Sequence, residues 1–223
     1  MRATFAGITG LVAALGLAAG PAVAGDWQRE GGRETLRREF AVQANQEIRL
    51  DLRWGELRVE PGDSGKVEVI VRAECHHGHR DCEDRVRDIE IDGASRSDAL
   101  EVELTGLSAW HSKGVSLEVT VRMPRRQALD VDMGAGEIHV EDLESDVHID
   151  LGAGEIQVRM PEDAVRKVRV DAGVGDANLR LSRGRIEGSR RNLVGAGVRW
   201  NEGRGHADVD CHVGAGEVNL RLD

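Results

Sequence analysis

The chain has 223 residues, with 30 Lys and Arg against 40 Asp and Glu, which gives a formal net charge of −10 at pH 7. An acidic chain repels nucleic acid and anionic lipid head groups, so its overall charge excludes both as bulk partners. The 4 Trp, 2 Phe and absent Tyr supply a sugar site of stacked rings poorly, while 28 Gly against 4 Pro indicate tight turns between short strands.

Residues 1–24 are typical of a secretory signal peptide. Arg2 precedes an uncharged, mostly apolar run at residues 7–19, and Ala22 and Ala24 supply the small residues of a cleavage site. The run is too short for a comfortable membrane span, and no later segment approaches the ~20 apolar residues that a spanning helix needs. We therefore expect an exported bacterial protein, periplasmic or at the cell surface, with no transmembrane segment in the mature chain.

Residues 25–124 predict an irregular, β-rich N-terminal part. Alternating apolar residues indicate strands at 34–40, 47–52, 66–73, 88–91, 99–104 and 115–123, and residues 81–89 indicate a short helix. Before this helix the sequence reads CHHGHRDC. In an oxidising compartment Cys75 and Cys82 favour a disulfide. The alternative is a metal site that uses the thiols with His76, His77 and His79, although the spacing matches no standard zinc finger.

Residues 125–223 contain a repeat of about twenty residues. The letters GAGEI at 134–138 return at 152–156, followed by GVGDA at 173–177, a damaged copy GAGVR at 195–199 and GAGEV at 214–218. Apolar residues alternate before and after each Gly-x-Gly, which indicates two half-buried strands joined at a corner. A strand follows where a phosphate-binding loop would open a helix, so nucleotide binding is disfavoured. The predicted corner glycines are Gly134, Gly136, Gly152, Gly154, Gly173, Gly175, Gly195, Gly197, Gly214 and Gly216.

This repeat length predicts an all-β parallel β-helix, also called a β-solenoid, in which each coil buries its inner face against its neighbours. An antiparallel β-sandwich of hairpins is the alternative. Stacked coils would align Glu137, Glu155, Asp176 and Glu217 in one acidic column, and Asp132, Asp150 and Asp171 in another, where the last copy carries His212. Like charges one strand apart repel, so we expect solvent, neighbouring Arg such as Arg169, or a weakly bound divalent cation to compensate. A solvated polar face is the simpler reading.

The repeat resembles a bacterial β-strand-repeat family of putative adhesins, also described as a domain of unknown function. The resemblance is carried by VRMP at 121–124 leading into LDVDMGAGEI at 129–138, and by MPEDA at 160–164 leading into residues 168–175. It covers the chain from about Phe40 to the C-terminus. The resemblance implies a right-handed β-helix in an exported envelope protein, with no established chemistry and therefore no catalytic residues to carry over. We expect no cofactor beyond the weakly bound divalent cation.

These features predict a non-enzymatic cell-envelope protein, adhesin-like or scaffolding, whose regular polar faces bind another macromolecule. The expected partner is an envelope protein or a surface glycan. Two alternatives remain open: a periplasmic metal-binding or envelope-stress module that uses the Cys/His loop, and a β-helix enzyme acting on polysaccharides. The second is disfavoured because the carboxylates line up in columns, whereas a glycosidase needs a pair that flanks one bond.

Overall fold

The computed structural model describes residues 27–30, 33–44, 46–76, 82–106, 114–187, 189–191 and 195–223. The predicted signal peptide lies outside the described residues, as do His77 and His79. Among the described residues, no helix is long and apolar enough to cross a membrane.

The N-terminal part forms seven strands and one helix within the described residues. Buried and other side chains alternate along residues 47–52 and 100–104, which places one face of each segment on the core, whereas residues 67–71 are buried without interruption. The elements are β1 (Gln28–Glu30), β2 (Arg33–Ala41), β3 (Glu47–Pro61), β4 (Lys66–Cys75), α1 (Cys82–Arg87), β5 (Glu90–Ser95), β6 (Ala99–Thr105) and β7 (Val115–Met123).

The repeat region forms seven further strands among the described residues. Four of them are long strands, and each of these four contains one intact repeat. They are β8 (Leu129–Glu141), β9 (Val147–Met160), β10 (Val165–Leu181), β11 (Gly184–Glu187), β12 (Ser189–Arg191), β13 (Gly195–Trp200) and β14 (Ala207–Leu222).

Five long strands bend at a glycine and run parallel to one another. They lie in the order β3, β8, β9, β14, β10, and the second glycine of each corner occupies one column. These glycines have φ between 128° and 148°, a region that side chains disfavour. A Cβ on Gly154 would also lie 1.8 Å from the carbonyl oxygen of Gly136. Glycine is therefore required at the corner for its conformation and for the close approach of the next strand.

Both halves of each bent strand turn alternate side chains toward one apolar core. Before the corner, Val131, Ile149 and Cys211 are fully buried on neighbouring strands. After the corner, Val140 and Leu220 are buried in the same way. Because complete burial of an aliphatic side chain contributes about 1.5–3 kcal/mol, these columns are the main source of stability.

The prediction of a right-handed parallel β-helix is wrong, because the strands form a mixed sheet. The parallel ladders are continued by antiparallel pairs, β4 with β7 and β2 with β4 at one end and β10 with β13 at the other. The central ladders are parallel, so an antiparallel sandwich does not describe them either. In addition, β14 lies between β9 and β10, whereas a helix of successive coils would place β10 directly beside β9.

Strand β3 joins the N-terminal part to the repeat region. Its whole length pairs with β8 on one side. On the other side, its first half pairs with β6 and its second half pairs with β7. The predicted parts 25–124 and 125–223 are thus connected by one continuous ladder.

The damaged copy at Gly195 and Gly197 does not form a corner of the parallel stack. Strand β13 runs antiparallel to β10, with Gly197 opposite Asp171. Neither glycine has a positive φ, in contrast to Gly175 on the paired strand. The motif therefore belongs to a short strand beside the last bent strand, and the sequence-based assignment of this pair as a corner is wrong.

Candidate binding face

The outward side chains that follow the glycine corners form three columns across adjacent strands. We call this surface the ladder face. Its acidic column is Glu56, Glu137, Glu155, Glu217 and Asp176; its middle column is Arg58, His139, Gln157, Asn219 and Asn178; its third column is Glu141, Arg159, Arg221 and Arg180.

The middle column compensates much of the acidic column by hydrogen bonding. Gln157 Nε2 donates to Glu155 Oε1 at 2.9 Å, and Asn219 Nδ2 donates to the same oxygen at 3.3 Å. Asn178 Nδ2 donates to Glu217 Oε1 at 3.2 Å. Adjacent carboxylates repel one another, and amide donors placed between them offset part of that repulsion. The predicted acidic column thus has a neighbouring donor column that the repeat motif alone does not mark.

Three arginines on adjacent strands form a positively charged row in an acidic protein. Arg159 Nε and Arg221 Nε donate to opposite oxygens of Asp223, at 2.6 and 2.5 Å. The hydrogen bond from Arg221 is the main cause that lowers the pKa of Asp223. Arg180 continues the row on β10 and makes no ion pair with any residue in the described ranges.

The arginine row and the amides of the middle column line an open depression of about 370 Å³. Its floor is formed by Val140, Val158 and Leu220, whose side chains are buried in the core on the other side of the sheet. Guanidinium groups bind carboxylate, sulfate or phosphate oxygens through paired donors, and amides bind hydroxyl groups. The depression can therefore hold polar or anionic groups of a partner.

A second acidic column crosses the strands before the corner. Asp51, Asp132, Asp150, His212 and Asp171 are neighbours in this order. Arg169 Nε donates to Asp171 Oδ2 at 2.9 Å, and His148 Nε2 lies 3.1 Å from Asp150 Oδ2. Next to this column, burial is the main cause that raises the pKa of Asp130.

The Cys/His loop contains a disulfide. Cys75 and Cys82 are bonded, with their Cα atoms 5.9 Å apart, and the buried Cys82 begins α1. His76 is exposed, and its Nε2 lies 3.0 Å from Ser116 Oγ. The disulfide occupies two of the five ligands that a metal site in this loop would use, and His77 and His79 lie outside the described residues.

Cys211 is a core residue of β14. It is fully buried between Ile149 and Val170, and burial raises the pKa of its thiol well above the ordinary range. His212 lies on the opposite, exposed face of the strand. A nucleophilic thiolate with histidine as its base is therefore incompatible with this strand.

Sequence reasoning missed the donor and arginine columns of the ladder face. The sequence does contain a signal for these columns. In three copies the third residue after the second glycine is Gln or Asn, and the fifth residue is Arg. A further copy of the motif lies upstream, at Trp54, Gly55 and Glu56 on β3, and it supplies the first row, or rung, of the three columns. Arg53 stands where the other copies have their first glycine.

The family comparison matches residues 29–180 to the model described as the N-terminal domain of toast_rack, DUF2154. The chain belongs to this family. The predicted resemblance to bacterial putative-adhesin repeats is thereby confirmed. Strand β14, which supplies Glu217, Asn219 and Arg221 to the ladder face, lies after the matched residues.

Three solved structures resemble this chain. A putative cell adhesion protein from Clostridium sporogenes ATCC 15579 has 14% identity and a TM-score of 0.48, over 84% of this chain and 99% of that chain. A putative adhesin from Bacteroides fragilis NCTC 9343 has 8% identity and a TM-score of 0.25, over 84% and 97%. A lipid-binding protein, also named putative, from Parabacteroides distasonis ATCC 8503 has 10% identity and a TM-score of 0.25, over 85% and 79%. The comparison with curated proteins gives no match.

Proposed function

We propose that this protein is a non-enzymatic, exported cell-envelope protein, adhesin-like or scaffolding, that binds a macromolecular partner through the ladder face. The observation that carries the proposal is the register of the five bent strands. It repeats an acidic, a donor and a charged position on each successive strand. Adjacent strands are spaced by about 4.8 Å, so the surface offers similar groups at regular intervals.

A regular, rigid and open surface suits a large partner better than a small molecule. Small-molecule sites are concave and enclose most of their ligand, whereas the depression on the ladder face is open along the strands. Its exposed donors include Gln157, Arg159 and Arg180. The partner that fits such spacing is an envelope protein with an exposed polar segment or a surface glycan with repeated hydroxyl and acidic groups.

A binding role is also supported by the way in which the carboxylates are used. On the ladder face, Glu155 and Glu217 accept hydrogen bonds from side-chain amides. A glycosidase needs two carboxylates on opposite sides of one bond, with one of them kept protonated. The described carboxylates stand in columns along one surface, which supports contact with a partner over several strands.

The exported location rests on the predicted signal peptide and fits the disulfide. A structural disulfide between Cys75 and Cys82 persists in an oxidising compartment such as the periplasm or the cell surface. Retention of both thiols in this bond also favours a binding protein over a metal-binding module that uses the same loop.

Capture from the native cell envelope tests this proposal. The immobilised protein is compared with the double variant Arg180→Ala, Arg221→Ala, which removes two charges from adjacent strands of the ladder face. The matched control is Arg169→Ala, Arg199→Ala, which removes two charges from adjacent strands outside this face. Bound proteins are identified by mass spectrometry and bound glycans by sugar analysis.

We expect one component to be retained by the wild type and the control and released by the ladder-face variant. Equal retention by both variants would remove the ladder face as the contact surface. Absence of any retained protein or glycan would contradict a binding function.

A further inference from the structure

The rung on β8 differs from those on β9, β14 and β10 in its donor. Where the rungs on β9 and β14 place amides beside Glu155 and Glu217, the rung on β8 places His139 beside Glu137. His139 Nε2 lies 3.6 Å from Glu137 Oε2 and 3.9 Å from Glu56 Oε1 on the adjacent strand. Both separations exceed the length of a hydrogen bond.

The ring nitrogen of His139 is buried without a partner. Only 18% of this side chain is exposed, and Nε2 is inaccessible to solvent and makes no hydrogen bond with the described residues. An unsatisfied buried nitrogen costs free energy and needs an explanation. Its position between two carboxylates indicates that a positively charged species completes the group.

We propose that Glu56, Glu137 and His139 bind a divalent transition-metal ion of the Zn²⁺ class. One ligand atom from each residue lies within 4.8 Å of the other two. In a tetrahedral zinc site with bonds of about 2.1 Å, ligand atoms lie about 3.4 Å apart, so side-chain movements smaller than about 1 Å close the group around an ion. Three protein ligands leave one position for water or for a group of a partner.

The ligand types select this class of metal. One imidazole with two carboxylates suits Zn²⁺ and its neighbours in the transition series, whereas Ca²⁺ and Mg²⁺ prefer oxygen ligands throughout. The rungs on β9, β14 and β10 lack a histidine, and Glu155 and Glu217 accept hydrogen bonds from amides. The proposed site is therefore confined to the edge of the ladder face where β3 meets β8.

Arg58 is the group that opposes a cation here. Its guanidinium donates to Glu56 Oε1 and adds a positive charge beside the site. The Arg58 side chain is half exposed, at 49%, so it can turn toward solvent and release this oxygen. We expect metal binding to displace this contact, and the variant Arg58→Gln to bind the metal more tightly than the wild type.

Titration calorimetry with ZnCl₂ on the disulfide-containing protein tests the proposal. The variant His139→Gln places in β8 the residue that β9 already has at Gln157, so the fold accepts it in the neighbouring rung. The matched control is Glu217→Gln, in the same acidic column but on β14, two strands away from β8. A second variant, Gln157→His, reproduces the arrangement one strand further, between Glu137 and Glu155.

We expect wild type and Glu217→Gln to bind one Zn²⁺ more per chain than His139→Gln does, or to bind it more than about tenfold more tightly, since loss of even an indirect zinc partner has an effect of that size. Gln157→His should restore a site in the background of His139→Gln. The proposal is overturned if the wild type binds no Zn²⁺, or if His139→Gln leaves the isotherm unchanged. This test is independent of any partner of the ladder face.

Discussion

Gly216 lies directly beside Gly154, so the last long strand of the chain separates β9 from β10, which follow one another in sequence. Gly216 has Gly175 on its other side, and the glycine column is continuous across all five bent strands. The final strand thereby completes both the core and the ladder face. The glycine column and the position of β14 between β9 and β10 can each be tested by substitution.

Substitution Gly154→Ala should destabilise the protein by more than about 3 kcal/mol. A side chain at this positive φ costs about 1–3 kcal/mol, and its Cβ would lie 1.8 Å from the Gly136 carbonyl oxygen. The matched control is Gly184→Ala, since Gly184 has a φ of 149° but nothing within 4 Å of an added Cβ. Urea unfolding measures both variants; equal losses would show that the strand contact adds nothing.

Substitution Leu220→Ala in β14 should lower the free energy of unfolding by about 2–5 kcal/mol, as for a side chain in the centre of a core. Leu220 is 2% exposed and has neighbours on β9 and β10. The control Val174→Ala removes an apolar side chain that is 53% exposed on β10 and should change stability by less than about 0.5 kcal/mol. If the two variants were equally stable, β14 would be peripheral.

Reduction of the Cys75–Cys82 disulfide should lower the melting temperature. The entropy model assigns about 2.5 kcal/mol to a closed loop of this short length. Reductant should raise the mass by two daltons and destabilise the wild type, while the variant Cys75→Ser, Cys82→Ser should be insensitive to reductant. A wild type whose melting temperature is the same with and without reductant would contradict a structural role.

The ion pair of Arg166 with Asp208 should contribute stability at neutral pH that acid removes. Hydrogen bonds from Arg166 lower the pKa of Asp208, so the stabilisation is present above the unfolded pKa of about 3.9 and is lost as the pH falls through the lower folded value. The Arg166 and Asp208 side chains are 59% and 37% exposed, so screening by solvent keeps this contribution small. Asp208→Asn should be less stable than the wild type at pH 7, and the difference in stability should shrink as the pH falls below about 3.9. A difference that does not change with pH would point to another cause.

The alternation of side chains predicts which face of a strand each residue lies on, but it does not predict which strands lie beside one another. The alternation around Ile149 and Ile156 specifies which side chains turn inward, because β-strands have a period of two. Every copy has the same phase, however, so a neighbour such as Val209 satisfies β9 as well as Val168 would. For this reason the repeat predicts columns of side chains but not the position of β14 between β9 and β10.

The candidate sites are predictable to a smaller extent. Two cysteines seven residues apart, in a chain with a predicted signal peptide, indicate a disulfide from sequence alone. His139 lies opposite Arg58 and 3.9 Å from Glu56, and both of these residues are far away in sequence, in an upstream copy with an altered corner. A pattern within one copy cannot indicate a contact between two copies.

The most direct test of the ladder face as a contact surface is photo-crosslinking in the living bacterium. A photoreactive amino acid is placed at Gln157, in the middle column of β9, and in a second strain at His148, which is exposed on the same strand before the corner. Our account predicts a discrete adduct with an envelope protein or glycan from position 157 and none from position 148. An adduct from position 148 alone, or adducts of equal yield from both positions, would contradict it.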